Sequence, residues 1–219
     1  MNDYFNELLN VNRTIFKKYF QVFDFPWILL KDLKTYIKFY EKTLSSDFNE
    51  ISEGVFAHKT AKIDKTAKIY APTIIDENAE IRHSAFLRGG CVIGKNCVVG
   101  NSSEIKNSVL FDEVKIPHFN YVGDSVLGYA VHFGAGVITS NVKLDKKHVY
   151  VSVGNEKYDT GLTKLGAIVG DNTEIGCNCV LNPATVIGKN CRVYPLNSLR
   201  GEIKSNIVYK DKYDIVFKE

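Results

Sequence analysis

The stretch Ala79-Glu-Ile81-Arg-His-Ser-Ala85-Phe-Leu87-Arg-Gly-Gly-Cys91-Val-Ile93-Gly-Lys-Asn-Cys97-Val-Val99 repeats a two-part pattern every six residues: an aliphatic side chain, then a small one four places later. Working outward, the aliphatic position recurs at Ile63, Ile69, Ile75, Ile81, Leu87, Ile93, Val99, Ile105 and Phe111. A second set runs Tyr121, Leu127, Phe133, and a third runs Val169, Ile175, Leu181, Ile187, Val193, Leu199. A helix repeats near 3.6 residues and a half-buried strand at two, so neither produces a period of six. A parallel β-helix that turns a corner at each repeat does. The small position reads Ala67, Thr73, Ala79, Ala85, Cys91, Cys97, Ser103 and Val109, then Thr173, Cys179, Thr185 and Cys191 in the third set. Inward sites beside a tight corner have room only for small groups, and a free cysteine packs as a small hydrophobe. Cys91, Cys97, Cys179 and Cys191 therefore read as packing residues, and Cys177 stands outside the register.

Two irregularities interrupt the pattern. Phe111 and Leu127 are sixteen residues apart where two hexads need twelve, and the extra four are placed around Pro117-His118-Phe119-Asn120. The stretch 141–166 has no hexad register and reads as a loop thrown out from the prism, and long loops on rigid scaffolds tend to carry function. Residues 1–50 differ in character. They are rich in aromatics, and Leu30, Leu33, Ile37, Tyr40 and Leu44 follow helical spacing, with Pro26 suited to start that helix. The predicted organisation is mainly β: a helical segment over 1–50 capping one open end of the prism, a β-helix over 51–205, and a tail over 206–219. The apolar alternation Ile207, Tyr209, Tyr213, Ile215, Phe217 suits that tail to a terminal strand pair.

The chain has 219 residues, 45% hydrophobic and 24% charged, with a formal net charge of +3. That is an ordinary composition for a water-soluble domain. No Lys/Arg-dense run appears, which argues against nucleic acid as partner. The apolar run Phe25 to Leu30 is too short to span a bilayer, and Met1 to Leu9 does not resemble a signal peptide. The expectation is a cytoplasmic protein with no membrane partner. Five cysteines form no CxxC pair, and His58, His83, His118, His132 and His148 include no short-spaced pair, so no metal is predicted. Gly89-Gly-Cys-Val-Ile-Gly94-Lys95-Asn96 approaches a phosphate-binding loop, but it lacks the final Ser/Thr and lies inside the hexad register.

A more specific pattern lies in His118-Phe-Asn-Tyr121-Val-Gly-Asp124, followed by Phe133-Gly-Ala135-Gly and Thr139-Ser-Asn141. It resembles the acetyltransferase domain of bifunctional N-acetylglucosamine-1-phosphate uridyltransferases and of the related archaeal sugar-1-phosphate nucleotidyltransferases. The resemblance covers about 55–205, and Phe25-Pro26-Trp27-Ile-Leu-Leu30 resembles the linker that precedes that domain in the archaeal type. No nucleotidyltransferase domain is expected here, since the first 50 residues offer none of its glycine-rich, basic nucleotide loop. The resemblance implies that the β-helix is left-handed, with three hexads per coil. By that count eighteen hexads make six coils, and residues eighteen apart sit about 4.8 Å apart in neighbouring coils.

By the same resemblance, His118 matches a catalytic base, a role suited to an imidazole near neutral pH. Glu104 matches a carboxylate that orients that imidazole. Arg88 and Lys106, one coil apart, match ligands of the acceptor's phosphate, and an anion between them would offset their repulsion. Tyr121 and Asn141 match residues that position the acceptor sugar and the acetyl group, and Lys147, or equally Lys146, matches a further phosphate-side lysine. Ala135 matches a backbone contact to coenzyme A. Three positions depart from the family: His132 stands for an asparagine that touches the sugar, Cys177 for a serine near the thioester, and Pro195 for an alanine in the coenzyme A channel. The implied function is an acetyl-CoA-dependent N-acetyltransferase acting on glucosamine-1-phosphate or a related amino sugar phosphate, as a homotrimer. The other reading is a non-catalytic partner of a separate sugar nucleotidyltransferase.

Overall fold

Residues 1–217 are described in the computed structural model of the chain. The period of six becomes a three-sided prism of short parallel strands, whose faces we term A, B and C. The chain visits them in rotation: Thr73–Ile75 lies on A, Glu80–Ile81 on B, Phe86–Leu87 on C, and Cys91–Ile93 returns to A. Strands pair in parallel with their counterparts one coil on, as Ile75 does with Ile93 and Ile81 with Val99. Face C has seven strands, so seven coils are complete, and an eighth has only Glu202–Ile203 on A and Ile207–Asp211 on B. The six coils counted from the hexads are therefore too few. The missing ones pass through Ala57 and Thr139, inward positions that are not large aliphatics, and through a register that slips.

That slip corrects the reading of 105–127. Ile93 pairs with Leu110, Val99 with Ile116, Ile105 with Val122, and Leu110 with Leu127. The inward series is thus Ile105, Leu110, Ile116, Val122, Leu127, with steps of five, six, six and five. No four-residue insertion surrounds His118. Two corners are instead one residue short, and each coil through this region takes seventeen residues. Phe111 and Val109, read as inward, face outward, and Leu110 and Ser108 fill those places. Tyr121 faces out as well, and Val122 is the core residue.

Most corners place one residue in the left-handed region, commonly an Asn such as Asn78, Asn96, Asn172 or Asn178. Asparagine tolerates that conformation because its short amide bonds locally. Inside, the small inward positions Thr73, Cys91, Cys97, Ser103, Thr173, Cys179 and Cys191 are fully buried.

The N-terminal segment does not cap an end. Its four helices, α1 (Asp3–Leu8), α2 (Lys17–Val22), α3 (Pro26–Lys31) and α4 (Leu33–Tyr40), lie against the outside of face A. The cause is legible in the strands of that face. Ile74, Val92, Val109, Val126, Ile168 and Val186 point outward and are buried in one cluster with Phe16, Phe20, Leu29, Leu33 and Ile37. Burial of such a side chain is worth on the order of 1.5–3 kcal/mol. The helix expected from Pro26 onward is two helices, broken at Asp32. At one end of face A, Phe48–Ser52 adds an antiparallel strand to Val55–His58, and at the other end of the prism Asp214–Phe217 folds back on Ile207–Asp211. The last two residues of the tail, 218 and 219, lie outside the described residues.

The stretch 141–166 is not a bare loop. Tyr150–Val153 and Glu156–Asp159 form an antiparallel hairpin whose Val149, Val151 and Val153 join the face A cluster. Tyr158 packs on Phe25 at 4.8 Å between ring centroids. Among the described residues no helix is long and apolar enough to cross a membrane.

Candidate active site

The two short corners lie between faces C and A, and they bring three polar residues into one column. Asn107, Asp124 and Asn141 follow the inward residues Ile105, Val122 and Thr139 by two places each. Asn107 and Asp124 take left-handed backbone, with φ of 46° and 49°. Asp124 is 4% exposed. Its carboxylate accepts from Lys106 Nζ at 2.8 Å, from Asn107 Nδ2 at 2.9 Å, and from Asn141 Nδ2. Asn141 Nδ2 also donates to the Tyr121 hydroxyl at 3.2 Å, and Asn107 Nδ2 donates to the carbonyl of Leu30 in α3 at 3.1 Å. Burial, and then the charge of Asp124, push the Tyr121 phenol above its usual range, so it stays protonated at neutral pH.

Gly123 makes this packing possible. A Cβ there would lie 2.5 Å from Tyr121 Oη and 2.9 Å from Asn141 Nδ2. The phenol therefore lies across bare backbone.

Arg88 and Lys106 do stack one coil apart: the Arg88 N–H donates to the Ile105 carbonyl at 2.8 Å, and Ile105 pairs with Leu87. Both are ion-paired. Arg88 meets Glu104 at 2.7 Å on the open surface, and Lys106 meets buried Asp124. Glu104 was expected to orient His118, and that contact is absent. Its carboxylate is held by Arg88 across the coil step instead.

His118 occupies the corner between faces B and C. Its ring is exposed and has no hydrogen bond among the described residues. The corner is held by the neighbouring buried Asn120, which accepts from the His118 backbone N–H at 3.1 Å and donates to the Gly134 carbonyl at 2.7 Å. Above His118 the corner continues through Ala135, Cys177 and Pro195. Gly136 N–H donates to His118 O, Asn178 N–H to Ala135 O, and Leu196 N–H to Cys177 O, at 2.8 to 3.0 Å. The donor-side residues thus form one column with the imidazole at its foot. Cys177 is exposed and lies over Gly134, where a Cβ would come 2.9 Å from its Sγ. The other four cysteines are buried, and burial pushes the Cys91 thiol up to about 12.

Two expected residues are not brought to these columns. His132 is exposed on face B between Lys115 and Glu174, and no hydrogen bond or ion pair joins it to the Asp124 cluster among the described residues. Lys147 is exposed in the loop before the hairpin, where its backbone N–H donates to Asp145 Oδ1 at 3.1 Å. Sequence reasoning passed over Asn107, Asn120 and Asp124 as site residues. The spacing of 107, 124 and 141 by seventeen was the available signal, hidden by a register assumed to be eighteen. The described residues hold no cluster of three His, Cys, Asp or Glu arranged for a metal ion.

Comparison with known proteins agrees with the motif. Residues 69–156 match the GMPPB C-terminal domain family, and residues 166–200 match the bacterial transferase hexapeptide family. A bifunctional sugar-1-phosphate nucleotidylyltransferase/acetyltransferase of Sulfurisphaera tokodaii is 39% identical over 159 residues, 64% of this chain and 40% of that protein. The bifunctional protein GlmU of Methanocaldococcus jannaschii is 33% identical over 117 residues, 53% of this chain and 28% of that protein. The chain thus spans well under half the length of these relatives. Among solved structures, the acetyltransferase domain of PglB from Neisseria gonorrhoeae overlays 74% of this chain and 57% of its own at 12% identity, with a TM-score of 0.33.

Proposed function

From a chain that belongs to the hexapeptide-repeat family, we propose an acyl-CoA-dependent N-acyltransferase whose acceptor is an amino sugar phosphate, with acetyl-CoA as donor and His118 as general base. One observation carries the reading. The bare imidazole of His118 stands three residues before Tyr121 on the same coil, and Tyr121 belongs to a polar cluster that is already set with Lys106 and Asn141. The names of the relatives matched over this region, which include an acetyltransferase, support it.

In this reading His118 takes a proton from the acceptor's ammonium. The freed amine attacks the thioester carbonyl, the C–N bond forms, the C–S bond breaks, and the thiolate leaves with a proton. Imidazole suits the first step because it is part neutral near pH 7. Glu104 and Asp124 neutralise Arg88 and Lys106. A phosphate would draw Arg88 from its exposed pair with Glu104, which is worth little in water, and a planar guanidinium can meet it with two hydrogen bonds. Lys147, which lies apart from this cluster in the loop before the hairpin, joins the same phosphate only if a neighbouring prism presents it. His132, on a separate face, acts on the acceptor only if a neighbouring prism presents it, whereas a donor bound along Ala135, Cys177 and Pro195 meets His118 at the foot of its own column. We therefore propose a homotrimer, checked by light scattering.

The deciding experiment is thiol release from acetyl-CoA against a panel of amino sugar phosphates. No release with any member would remove the proposal and leave the partner-subunit reading. Within it, replacing Arg88 or Lys106 with alanine is expected to raise the acceptor KM several-fold and spare the acetyl-CoA KM. Equal use of an unphosphorylated amino sugar would count against a phosphate site. Cys177 is expected to react with a thiol reagent fastest of the five cysteines, and acetyl-CoA is expected to protect it. Labelling that the donor leaves unchanged would place Cys177 outside the channel.

A further inference from the structure

We propose that Asp124 is the positioning residue of this site: it turns the Asn141 carbonyl oxygen and the Tyr121 hydroxyl hydrogen toward the ligand, and it ties that setting to helix α3 through Asn107. The inference deepens the acyltransfer reading and rests on it.

A buried carboxylate dictates the hydrogen-bond roles of the groups around it. Asp124 is almost fully buried and has acceptors only. Every group aimed at it must offer hydrogen, so Asn107 and Asn141 both present their NH2 ends. That choice is forced by chemistry, since an amide oxygen against a buried carboxylate would be repelled. The Asn141 amide nitrogen serves Asp124 and Tyr121 Oη together. Asn141 Oδ1 is therefore turned away from the cluster as an acceptor. Tyr121 Oη already accepts from Asn141, so its own hydrogen remains for another partner. A ligand at this corner meets one acceptor and one donor in fixed positions. An amino group fits the first: an N–H held by Asn141 Oδ1 fixes where the nitrogen lone pair points. A phosphate, hydroxyl or carbonyl oxygen fits the second.

Lys106 and Asn107 complete the device. Lys106 compensates the charge that burial of Asp124 would otherwise penalise. Asn107 shares its NH2 between Asp124 and the Leu30 carbonyl, one of the last-turn carbonyls that α3 cannot satisfy within itself. The docked helix thus fixes Asn107, Asn107 fixes Asp124, and Asp124 fixes Asn141. The seventeen-residue coils align the three. A coil of eighteen would shift the column by one residue at each step.

The test uses the full chain. Asp124→Asn keeps the shape but sets an amide against two amides. It is expected to lower kcat at least tenfold with an amino sugar phosphate while leaving the acetyl-CoA KM unchanged. Hydrogen exchange across 138–142 should quicken. The swap Asp124→Asn with Asn141→Asp puts a carboxylate opposite an amide again, so it is expected to slow that exchange, while kcat stays low because a carboxylate at 141 takes the Tyr121 hydroxyl hydrogen that the ligand would otherwise meet. Asn107→Gly, which keeps the left-handed corner, should quicken exchange in both 26–31 and 138–142, and it stands in if Asp124→Asn fails to fold. Unchanged kcat and exchange in Asp124→Asn, or exchange across 138–142 no slower in the swap than in that single change, would overturn the proposal. If the unaltered chain releases no thiol with any acceptor, acyl transfer itself fails. The exchange of 138–142 across the single change and the swap then decides the role of Asp124 alone.

Discussion

Replacing His118 with alanine is expected to lower kcat by about 10²-fold or more, the usual contribution of a positioned general base, while the melting temperature stays within a degree or two of the original. The structure separates the two effects. The imidazole is exposed and touches no hydrogen-bond partner among the described residues, so its removal leaves no buried group unpaired. The corner is held by backbone and by Asn120, both of which an alanine retains. Turnover and a thermal melt on the same preparation check both halves. A folded variant that turns over near the original rate would remove His118 as the base.

Gly123→Ala is expected to cost about as much activity by a different route. The added methyl would lie 2.5 Å from Tyr121 Oη and 2.7 Å from Tyr121 Cζ. No rotamer change in alanine relieves that, so the phenol must leave and Asn141 loses one of its two acceptors. A displacement of about 1 Å in a positioning group can cost about 10²-fold in rate. The fold has less to lose, because the clash is with the far end of a half-buried outward side chain and the inward neighbour Val122 is untouched. Reduced kcat with a modest change in melting temperature is the expected pattern. Unchanged kinetics would show that Tyr121 does not need its position across Gly123.

The comparison of sequence with structure turns on pairs of adjacent apolar residues. The hexads 63 to 105 and 169 to 199 were legible because coils there take eighteen residues and the six-residue step is unbroken, and the exposed Cys177 among buried cysteines followed from the same register. The register failed where two neighbours could each serve, at Leu110-Phe111 and at Tyr121-Val122. Choosing the wrong member of each pair created an insertion that does not exist. It also gave His118 a distinction it lacks, since the corner is regular and only its bare ring stands out. The same pairs carried an unread message about the helices. On face A alone the outward neighbour is apolar in coil after coil, as in Ile74-Ile75, Val92-Ile93, Val126-Leu127 and Val186-Ile187, and a face apolar on both sides must be covered. The Asp124 cluster was beyond a register of eighteen, because its members align only when coils of seventeen are allowed.

A bare solenoid is held together by contacts between successive coils, so it can fray from either end one coil at a time. This prism carries a splint. The N-terminal segment runs along face A, with Lys34 against Gly90, Phe20 on Phe111, Leu8 and Asn10 bonded to Asp171, and the Tyr4 hydroxyl donating to Glu202. Residues near the start of the chain thereby grip coils more than a hundred positions apart. Opening the last coils means lifting the segment that also clamps the middle ones, which makes fraying from that end cooperative with loss of the site.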